Sequence, residues 1–264
     1  MRNKITAPTI AAMKSVSPIT AITAYDFPTA RVANEANVDI ILVGDSLAMV
    51  VLGHDDTLGL TTEQMCHHVS AVANAKPSSL IVADMPWMSY HVSVEQTIQN
   101  AASLIRAGAE AVKLEGGQNR LPMIKAIVDA EIPVMGHVGL TPQSVHAMGG
   151  FKVQAKSTSE SKKLYSDAKA LESAGCFSIV VEGVPAEVGR QITELLNIAT
   201  IGIGAGSNTD GQILVFHDLV GLENRFKPKF VRRYGNSFDN QVKAVSEYIN
   251  DVKSGSFPSE EESY

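Results

Sequence analysis

Acidic side chains recur at the ends of short apolar runs in this sequence. Four carboxylates and one histidine stand in this position: Asp45 after Ile40–Val43, Asp84 after Leu80–Ala83, Glu115 after Ala111–Leu114, His137 closing Ile132–His137, and Glu182 after Phe177–Val181. Such runs are typical of parallel strands buried on both faces, whose carboxyl ends meet at one edge of a sheet or barrel. A single carboxylate could instead cap a loop or helix. The repetition favours one shared functional site.

Three of these carboxylates, Asp45, Asp84 and Glu115, have the chemistry of a magnesium site. They offer oxygen ligands without a neighbouring cysteine, and Mg²⁺ prefers oxygen ligands while keeping waters and places for a chelating substrate. Without a cation, carboxylates in one cleft would raise one another's pKa. Lys113 could balance part of this charge and bind a substrate carboxylate. Alternatively, Lys113 could lie at a solvated edge of a strand or helix.

These ligands suggest a reaction on a 2-oxo acid. A magnesium ion that holds both oxygens of such an acid stabilises an enolate at the adjacent carbon. The reaction then needs a base, and Glu182 is the candidate because it ends a strand separate from the metal ligands. His137 would hydrogen-bond to the substrate or the intermediate, although a lone histidine at a strand end can also be a satisfied polar residue.

The elements that position these side chains alternate regularly along the chain. Strands are predicted to begin at Ile19, Ile40, Leu80, Ala111, Val134, Phe177, Thr200 and Ile213. Helices are predicted over Pro28–Asn37, Thr62–Ala75, the segment from Ser93 to Arg106, Leu121–Ala130, Lys162–Ala174, Pro185–Leu196 and Phe238–Val252. This alternation predicts an α/β fold, a (β/α)8 TIM barrel. No linker or shift in composition divides residues 1–264, so we expect a single domain.

Segments outside the alternation carry weaker signals. Pro8 and Lys14 interrupt the apolar centre that a signal peptide needs, so we expect a helical lead-in at the N-terminus. Residues 149–154, which contain two glycines, are expected to form a mobile loop, and the acidic tail 257–264 is expected to be loose. The glycines in 202–206 lack the spacing of a phosphate-binding loop, and the adjacent His67 and His68 do not point to a metal site.

Composition excludes several function classes. The chain has 264 residues, 45% hydrophobic and 19% charged, and a formal net charge of −6. This acidic balance argues against nucleic acid or an anionic membrane as a partner, because both require basic patches. Only Cys66 and Cys176 are present, in no metal or redox spacing, which predicts a cytoplasmic protein without disulfides. No apolar stretch is long enough to span a membrane.

Ten short segments identify a family. They are T-A-Y-D at 23–26, V-G-D-S-L at 43–47, G-H-D-D-T at 53–57, A-D-M-P at 83–86, K-L-E-G-G at 113–117, G-H-V-G-L-T-P-Q-S at 136–144, G-G-F-K-V-Q at 149–154, I-G-I-G-A-G at 201–206, D-G-Q-I-L-V at 210–215 and P-K-F-V-R-R-Y at 228–234. In this order they closely resemble the ketopantoate hydroxymethyltransferases. The sequence departs from the family at Ala48, where glycine is usual, and the added methyl group is expected to leave metal binding intact.

The resemblance implies a barrel of the phosphoenolpyruvate/pyruvate superfamily type, usually a decamer. It implies transfer of a hydroxymethyl group from 5,10-methylenetetrahydrofolate to 3-methyl-2-oxobutanoate, giving 2-dehydropantoate in the pantothenate branch that leads to coenzyme A. It assigns residues to three roles: Mg²⁺ ligation by Asp45, Asp84 and Glu115, 2-oxo acid binding by Asp45, Ser46, Asp84, Lys113 and His137, and proton abstraction by Glu182.

Two other functions fit the same residues. One keeps the barrel and Mg²⁺ but makes the reaction a carbon–carbon or carbon–phosphorus lyase, although the cysteine-bearing loop that many such enzymes have is absent here. The other is a non-catalytic barrel that binds a metabolite. An inert barrel has little reason to keep a lysine and four carboxylates at its strand ends, although a metabolite binder might keep them.

Overall fold

The computed structural model describes residues 2–223, 225 and 227–264. The chain forms two compact units, Met1–Val215 and Phe216–Tyr264. The expectation of a single domain over 1–264 stays a prediction.

The first unit is a closed barrel of parallel strands. Its strands are β1 (Ile19–Thr23), β2 (Ile40–Val43), β3 (Leu80–Asp84), β4 (Ala111–Lys113), β5 (Val134–Gly139), β6 (Ser178–Glu182), β7 (Ala199–Ile203) and β8 (Gly211–Leu214). Each strand pairs in parallel with the next, and β8 pairs with β1 to close the ring. The predicted (β/α)8 barrel is therefore confirmed, and all eight predicted strands are present within two residues of their predicted starts.

The strands form because their side chains are buried on both faces. Every residue of β2 and β3 is buried, as their continuous apolar runs predict. Side chains from the strands fill the barrel interior, and Leu42, Val82, Met135, Val180 and Ile201 belong to this core. The barrel is thus a packed core and not a pore, with polar side chains in layers at the two ends of the strands.

Several helices of this unit begin at side-chain caps. They are α1 (Ala7–Ala12), α2 (Phe27–Glu35), α3 (Leu47–Val50), α4 (Thr62–Ala73), α5 (Val94–Arg106), α6 (Leu121–Asp129), α7 (Val145–Met148), α8 (Thr158–Ser173) and α9 (Ala186–Leu195), with short 3-10 helices at Gln118–Arg120 and Pro142–Ser144. The predicted start of α8 at Lys162 is wrong. Ser157 accepts a hydrogen bond from the backbone N–H of Glu160, whose side chain accepts one from Ser157 N, so this capping box starts the helix four residues earlier.

The lead-in to the barrel is held at the amino ends of the strands. Thr6 caps α1, and Ile10 of that helix is fully buried in the core cluster. Lys14 then forms an ion pair with Asp210, 2.8 Å between Nζ and Oδ2. These contacts fasten the N-terminal segment to the barrel end opposite the acidic strand ends.

The second unit consists of α10 (Phe216–Val220), α11 (Ser237–Ser254) and a 3-10 helix at Glu260–Glu262. Ser237 of α11 is half-buried, and every other residue of this helix is exposed. The looseness expected for 257–264 stays a prediction. In the described part of the chain, no helix has the length and apolar character needed to cross a membrane.

Candidate active site

A cavity of about 110 Å³ opens among the carboxyl ends of the strands. Its wall contains all of the predicted site residues: Asp45, Ser46, Asp84, Lys113, Glu115, His137 and Glu182. The remaining wall is mostly apolar and includes Leu42, Val180 and Ile213. Residues far apart in the chain are therefore brought to one small site, as the strand-end pattern predicts.

Most of these side chains belong to the last residue of a strand or to a residue just after it. Asp84 and Glu182 are the last residues of β3 and β6, whereas Asp45 and Glu115 follow β2 and β4 by two residues. His137 differs slightly from its prediction, because β5 continues past it to Gly139. Five side chains of this cluster are at most 5% exposed, those of Asp45, Asp84, Lys113, Glu115 and His137, and Glu182 is partly buried. Their charges therefore interact through a medium of low polarity.

Lys113 is the cation of the cluster. It is 4% exposed, which rules out a solvated strand edge, and its Nζ lies 2.8 Å from Asp84 Oδ1. Burial opposes its charge, but the carboxylates of Asp84, Glu115 and Asp45 outweigh burial and raise the Lys113 pKa. The side chain is therefore charged at neutral pH.

His137 is neutral and has a defined tautomer. Burial, together with the charge of Lys113, lowers its pKa well below the usual value. Lys113 Nζ lies 3.1 Å from His137 Nδ1, and because an ammonium group has no acceptor, Nδ1 must accept. The ring proton is then on Nε2, which lies 3.2 Å from Glu182 Oε2.

Three carboxylates around this cation have raised pKa values. Burial, and next the charge of Asp84, raises the pKa of Asp45 to about 7. Burial also raises the pKa of Glu182 to about 8 and that of Glu115 well above its ordinary range. Glu115 Oε1 has no hydrogen-bond partner and is 3.6 Å from His137 Nδ1. Lys113 alone therefore does not compensate the negative charge that would be present if every carboxylate were ionised.

Gln143 is a site residue that sequence reasoning missed. Its side-chain Nε2 donates to Asp45 Oδ2 at 2.8 Å and to the Met85 carbonyl at 3.0 Å, while its backbone N–H donates to Glu115 Oε2 at 3.0 Å. The side-chain oxygen accepts from the Tyr90 hydroxyl at 2.5 Å. Gln143 thus ties two predicted metal ligands together, and its place in the 136–144 segment was the available signal.

Two tyrosines orient these groups from outside the cavity. The Tyr90 hydroxyl also accepts from Glu115 N at 3.2 Å, and the Arg120 guanidinium lies 5.5 Å from the centre of the Tyr90 ring. Tyr25, in the 23–26 segment, has its hydroxyl 2.8 Å from Ser46 Oγ. Both buried hydroxyls therefore fix residues that line the site.

Solved structures with the same architecture define the class of this barrel. A 2,3-dimethylmalate lyase described as a PEP mutase/isocitrate lyase superfamily member is 18% identical, with a TM-score of 0.62 over 96% of this chain and 88% of that one. A phosphonopyruvate hydrolase is 16% identical, with a TM-score of 0.61 over 98% of this chain and 93% of that one. These structures share the TIM-barrel fold of this chain, and the predicted barrel is confirmed.

Sequence comparison identifies the particular family. The ketopantoate hydroxymethyltransferase family matches residues 4–260. A 3-methyl-2-oxobutanoate hydroxymethyltransferase from Moorella thermoacetica is 51% identical over 100% of this chain and 98% of its own length. One from Syntrophobacter fumaroxidans is 50% identical over 100% of this chain and 94% of its own length. The chain belongs to the ketopantoate hydroxymethyltransferase family, and the predicted transferase class is confirmed.

Proposed function

We propose that the protein transfers a hydroxymethyl group from 5,10-methylenetetrahydrofolate to 3-methyl-2-oxobutanoate, forming 2-dehydropantoate for pantothenate and coenzyme A synthesis. The observation that carries this proposal is the convergence of carboxylates, Lys113 and Glu182 around one buried cavity of about 110 Å³. A small 2-oxo acid matches that volume, and the curated relatives carry the corresponding name. The buried charges supply the groups that proton removal next to a carbonyl requires.

The site has the donors for a magnesium ion. Asp45 and Asp84 would hold it, with Glu115 binding directly or through water. Glu115 Oε1 is buried without a hydrogen-bond partner, which suits an oxygen that awaits a cation. Among the described residues, no three His, Cys, Asp or Glu side chains already form a metal-binding group. Magnesium ions commonly bind through one or two carboxylates and keep several waters, so the donor set still fits.

A comparison with a solved structure supports the same ion. The phosphonopyruvate hydrolase that shares this fold was solved with oxalate and Mg²⁺, and oxalate presents two adjacent carboxylate oxygens much as a 2-oxo acid presents its chelating pair. When bound, the ion would polarise the ketoacid carbonyl and favour formation of the enolate.

Lys113 and Ser46 are proposed to bind the ketoacid. The buried ammonium group of Lys113 provides a positive charge for the substrate carboxylate. Ser46 offers a hydroxyl whose position is set by Tyr25. Both line the cavity with Asp45 and Asp84, so the ketoacid can be bound at its polar end while its branched carbon contacts the apolar wall.

Glu182 is proposed to remove the proton from C3. Its pKa of about 8 makes it a stronger base than an ordinary glutamate, because burial disfavours its charge. The C3–H bond breaks and its proton goes to Glu182, while the electron pair forms a bond from C3 to the one-carbon unit. Both carbon–nitrogen bonds that join this carbon to the folate break, water supplies the hydroxyl oxygen, and the two folate nitrogens take up one proton from water and one from Glu182. His137 Nε2 lies 3.2 Å from Glu182 Oε2 but makes no hydrogen bond in the described residues, so its N–H group would donate to the substrate.

A homo-oligomer is part of the proposal, and the resemblance indicates a decamer. Support comes from α11, where Phe238, Val242, Val245, Ile249 and Val252 are exposed and alternate at spacings of four and three residues. This spacing puts them on one face of the helix, as in helices that pack against another helix. Light scattering should show a particle several times the mass of one chain, and a monomer would contradict the proposal.

A cytoplasmic location is also proposed. Cys66 and Cys176 are free, which suits a reducing compartment. Fractionation of cells that express the tagged protein would test this location, and recovery outside the cytoplasm would contradict it.

Exchange of the C3 proton tests the reaction. We expect NMR to show exchange of this proton of 3-methyl-2-oxobutanoate for deuterium in the presence of Mg²⁺, and much slower exchange after chelation with EDTA. Addition of 5,10-methylenetetrahydrofolate should then yield 2-dehydropantoate. Absence of exchange, both with and without tetrahydrofolate, would contradict the proposed function and favour a lyase or a metabolite-binding barrel.

A further inference from the structure

The small cavity leaves the position of the one-carbon donor unexplained. Sites for drug-sized ligands occupy about 300–1,000 Å³, whereas the ketoacid cavity has a volume of about 110 Å³. A reduced folate, with its pterin, aminobenzoyl and glutamate groups, is a drug-sized ligand and cannot enter this volume beside the ketoacid. Its binding surface must lie next to the cavity.

A second, larger cavity lies beside the first. It has a volume of about 630 Å³ and is enclosed by the turn after β4, the end of β5, the loop that follows β5, and the first half of α8. Three of the segments that carry the family resemblance, 113–117, 136–144 and 149–154, contribute to its wall. The ketoacid chemistry does not use the parts of these segments that face the larger cavity.

The two cavities share their boundary strands. Glu115 and His137 face the ketoacid, while the next residues along the chain, Gly116 and Val138, line the larger cavity. Gly139 marks the boundary, because it lines the larger cavity and is the Cα partner of Glu182 across the β5–β6 pair. Its φ is +97°, and a Cβ on this residue would lie 2.2 Å from the Glu182 carbonyl oxygen, so a side chain is excluded here. At Gly139, therefore, the boundary beside the proposed base consists of backbone.

A carboxylate and an amide mark the wall of the larger cavity. Asp167 on α8 accepts a hydrogen bond through Oδ1 from Gln118 N at 3.0 Å, and in the described residues its Oδ2 has no hydrogen bond. Asp167 fits against the turn only because residue 117 is glycine, since a Cβ there would lie 2.2 Å from Asp167 Cγ. The Asn119 side chain lies beside it in the same wall. An acceptor oxygen of this kind complements the adjacent N–H donors on a pterin ring.

Lysines are concentrated in the stretch of chain that includes the start of α8. Lys163 lines the cavity and is exposed, and Lys152, Lys156 and Lys162 are exposed in the same stretch of chain. Glu160, which also lines the cavity, is the one acidic residue in 152–163, so the four lysines make this stretch basic in a protein with a net charge of −6. This basic stretch matches the carboxylates of the glutamate portion of a folate.

We infer that the larger cavity binds the reduced folate, with the pterin ring against Asp167 and the glutamate portion towards Lys163. This assignment rests on the proposed hydroxymethyl transfer, because it locates the donor for that reaction. The donor would then approach the ketoacid across Gly139, from the side on which Glu182 takes the proton.

Variants of Asp167 and Ser144 test the assignment. Asp167→Asn keeps an oxygen for the hydrogen bond from Gln118 N but removes the charge, and it should raise the KM for 5,10-methylenetetrahydrofolate roughly 10-fold. Ser144→Phe fills the cavity from another wall and should weaken tetrahydrofolate binding, measured by calorimetry, by a similar factor. Asp129→Asn removes an exposed carboxylate at the end of α6 and serves as the control, with an unchanged KM for the donor.

Deuterium exchange separates this inference from the proposed function. Both variants should retain Mg²⁺-dependent exchange at C3, because exchange uses only the ketoacid cavity. Another outcome is normal exchange in both variants, with the KM for the donor and the affinity for tetrahydrofolate within about twofold of wild type. That result would overturn the folate site and leave the proposed function standing. Loss of exchange in both variants would show that the residues of the larger cavity support the structure of the ketoacid site. That result would also overturn the folate site. Wild-type protein without exchange would instead overturn the proposed function.

Discussion

Buried carboxylates at the amino ends of the barrel strands have full sets of partners, whereas those at the carboxyl ends do not. Asp210, just before β8, accepts from Lys14 Nζ at 2.8 Å, from Thr200 N at 2.8 Å and from Thr200 Oγ at 2.9 Å. Asp39, just before β2, accepts from Thr20 N and Thr20 Oγ, each at 2.7 Å, and pairs with Arg2. At the opposite end, Glu115 Oε1 has no hydrogen bond.

The pKa values differ in the same way. Burial alone would raise the pKa of Asp210, but the hydrogen bonds from Lys14 and Thr200 outweigh it and lower the pKa. Burial and neighbouring negative charge instead raise the pKa of Asp45 to about 7, and burial raises that of Glu182 to about 8. The carboxylates at one barrel end therefore contribute to stability, and those at the other end are proposed to bind a cation and accept a proton.

The largest effect should come from removing the proposed base. Glu182→Gln keeps the shape of the side chain but cannot accept the C3 proton, so deuterium exchange and turnover should fall roughly 1,000-fold. The melting temperature should not fall, since the variant removes a buried carboxylate that burial disfavours. Glu187→Gln on α9, which is exposed, is the control. Near-normal exchange in Glu182→Gln would show that another group is the base.

Replacing Gln143 should weaken the site without removing any proposed ligand. Gln143→Leu has a similar volume but loses the hydrogen bonds to Asp45 and Tyr90, so Mg²⁺ affinity measured by calorimetry should fall about 10- to 100-fold. Gln99→Leu, at an exposed position of α5, should leave the affinity unchanged. If both variants bind Mg²⁺ like wild type, Gln143 does not position the ligands.

At the other end of the barrel, Asp210→Asn should affect stability and spare catalysis. It leaves Lys14 without its counter-charge and should lower the free energy of unfolding by about 2 kcal/mol at neutral pH. The pKa of Asp210 is lower in the folded state than in the unfolded state. Its contribution to the free energy of unfolding is therefore fully present above the unfolded-state pKa and is lost as the pH falls through the folded-state pKa. Chemical denaturation at several pH values should show that the difference in the free energy of unfolding between wild type and Asp210→Asn becomes smaller below about pH 4. Loss of activity in the folded variant would contradict the division between the two ends.

The smallest effect should be a pH dependence of Mg²⁺ binding. Metal-free Asp45 has a pKa of about 7, so below that pH its proton must leave before it can bind the ion. Affinity should therefore rise with pH, by up to about 10-fold per pH unit for each proton released, and level off above the raised pKa values. Calorimetry in two buffers of different ionisation enthalpy would give the number of protons released when Mg²⁺ binds. Binding without proton release near pH 6.5 would contradict the predicted pH dependence.

Sequence patterns predicted the fold because its signals are local. Apolar runs such as Ile40–Val43 and Leu80–Ala83 carry the period of buried strands, and the capping pairs Thr61/Gln64 and Ser93/Gln96 mark the starts of helices. The start of α8 was missed because the cap at Ser157 lies in a polar stretch without apolar periodicity, although its spacing to Glu160 contains the signal.

By itself, the sequence determined the barrel and the side chains that end its strands, because strand period, helix caps and chain order are local properties. Only the tertiary structure decided how those side chains interact. Gln143 reaches Asp45 across 98 residues of sequence, and a contact of that range depends on closure of the barrel. The raised pKa of Glu182 and the larger cavity at Gly139 likewise depend on packing between distant segments, and burial of that kind has no local pattern.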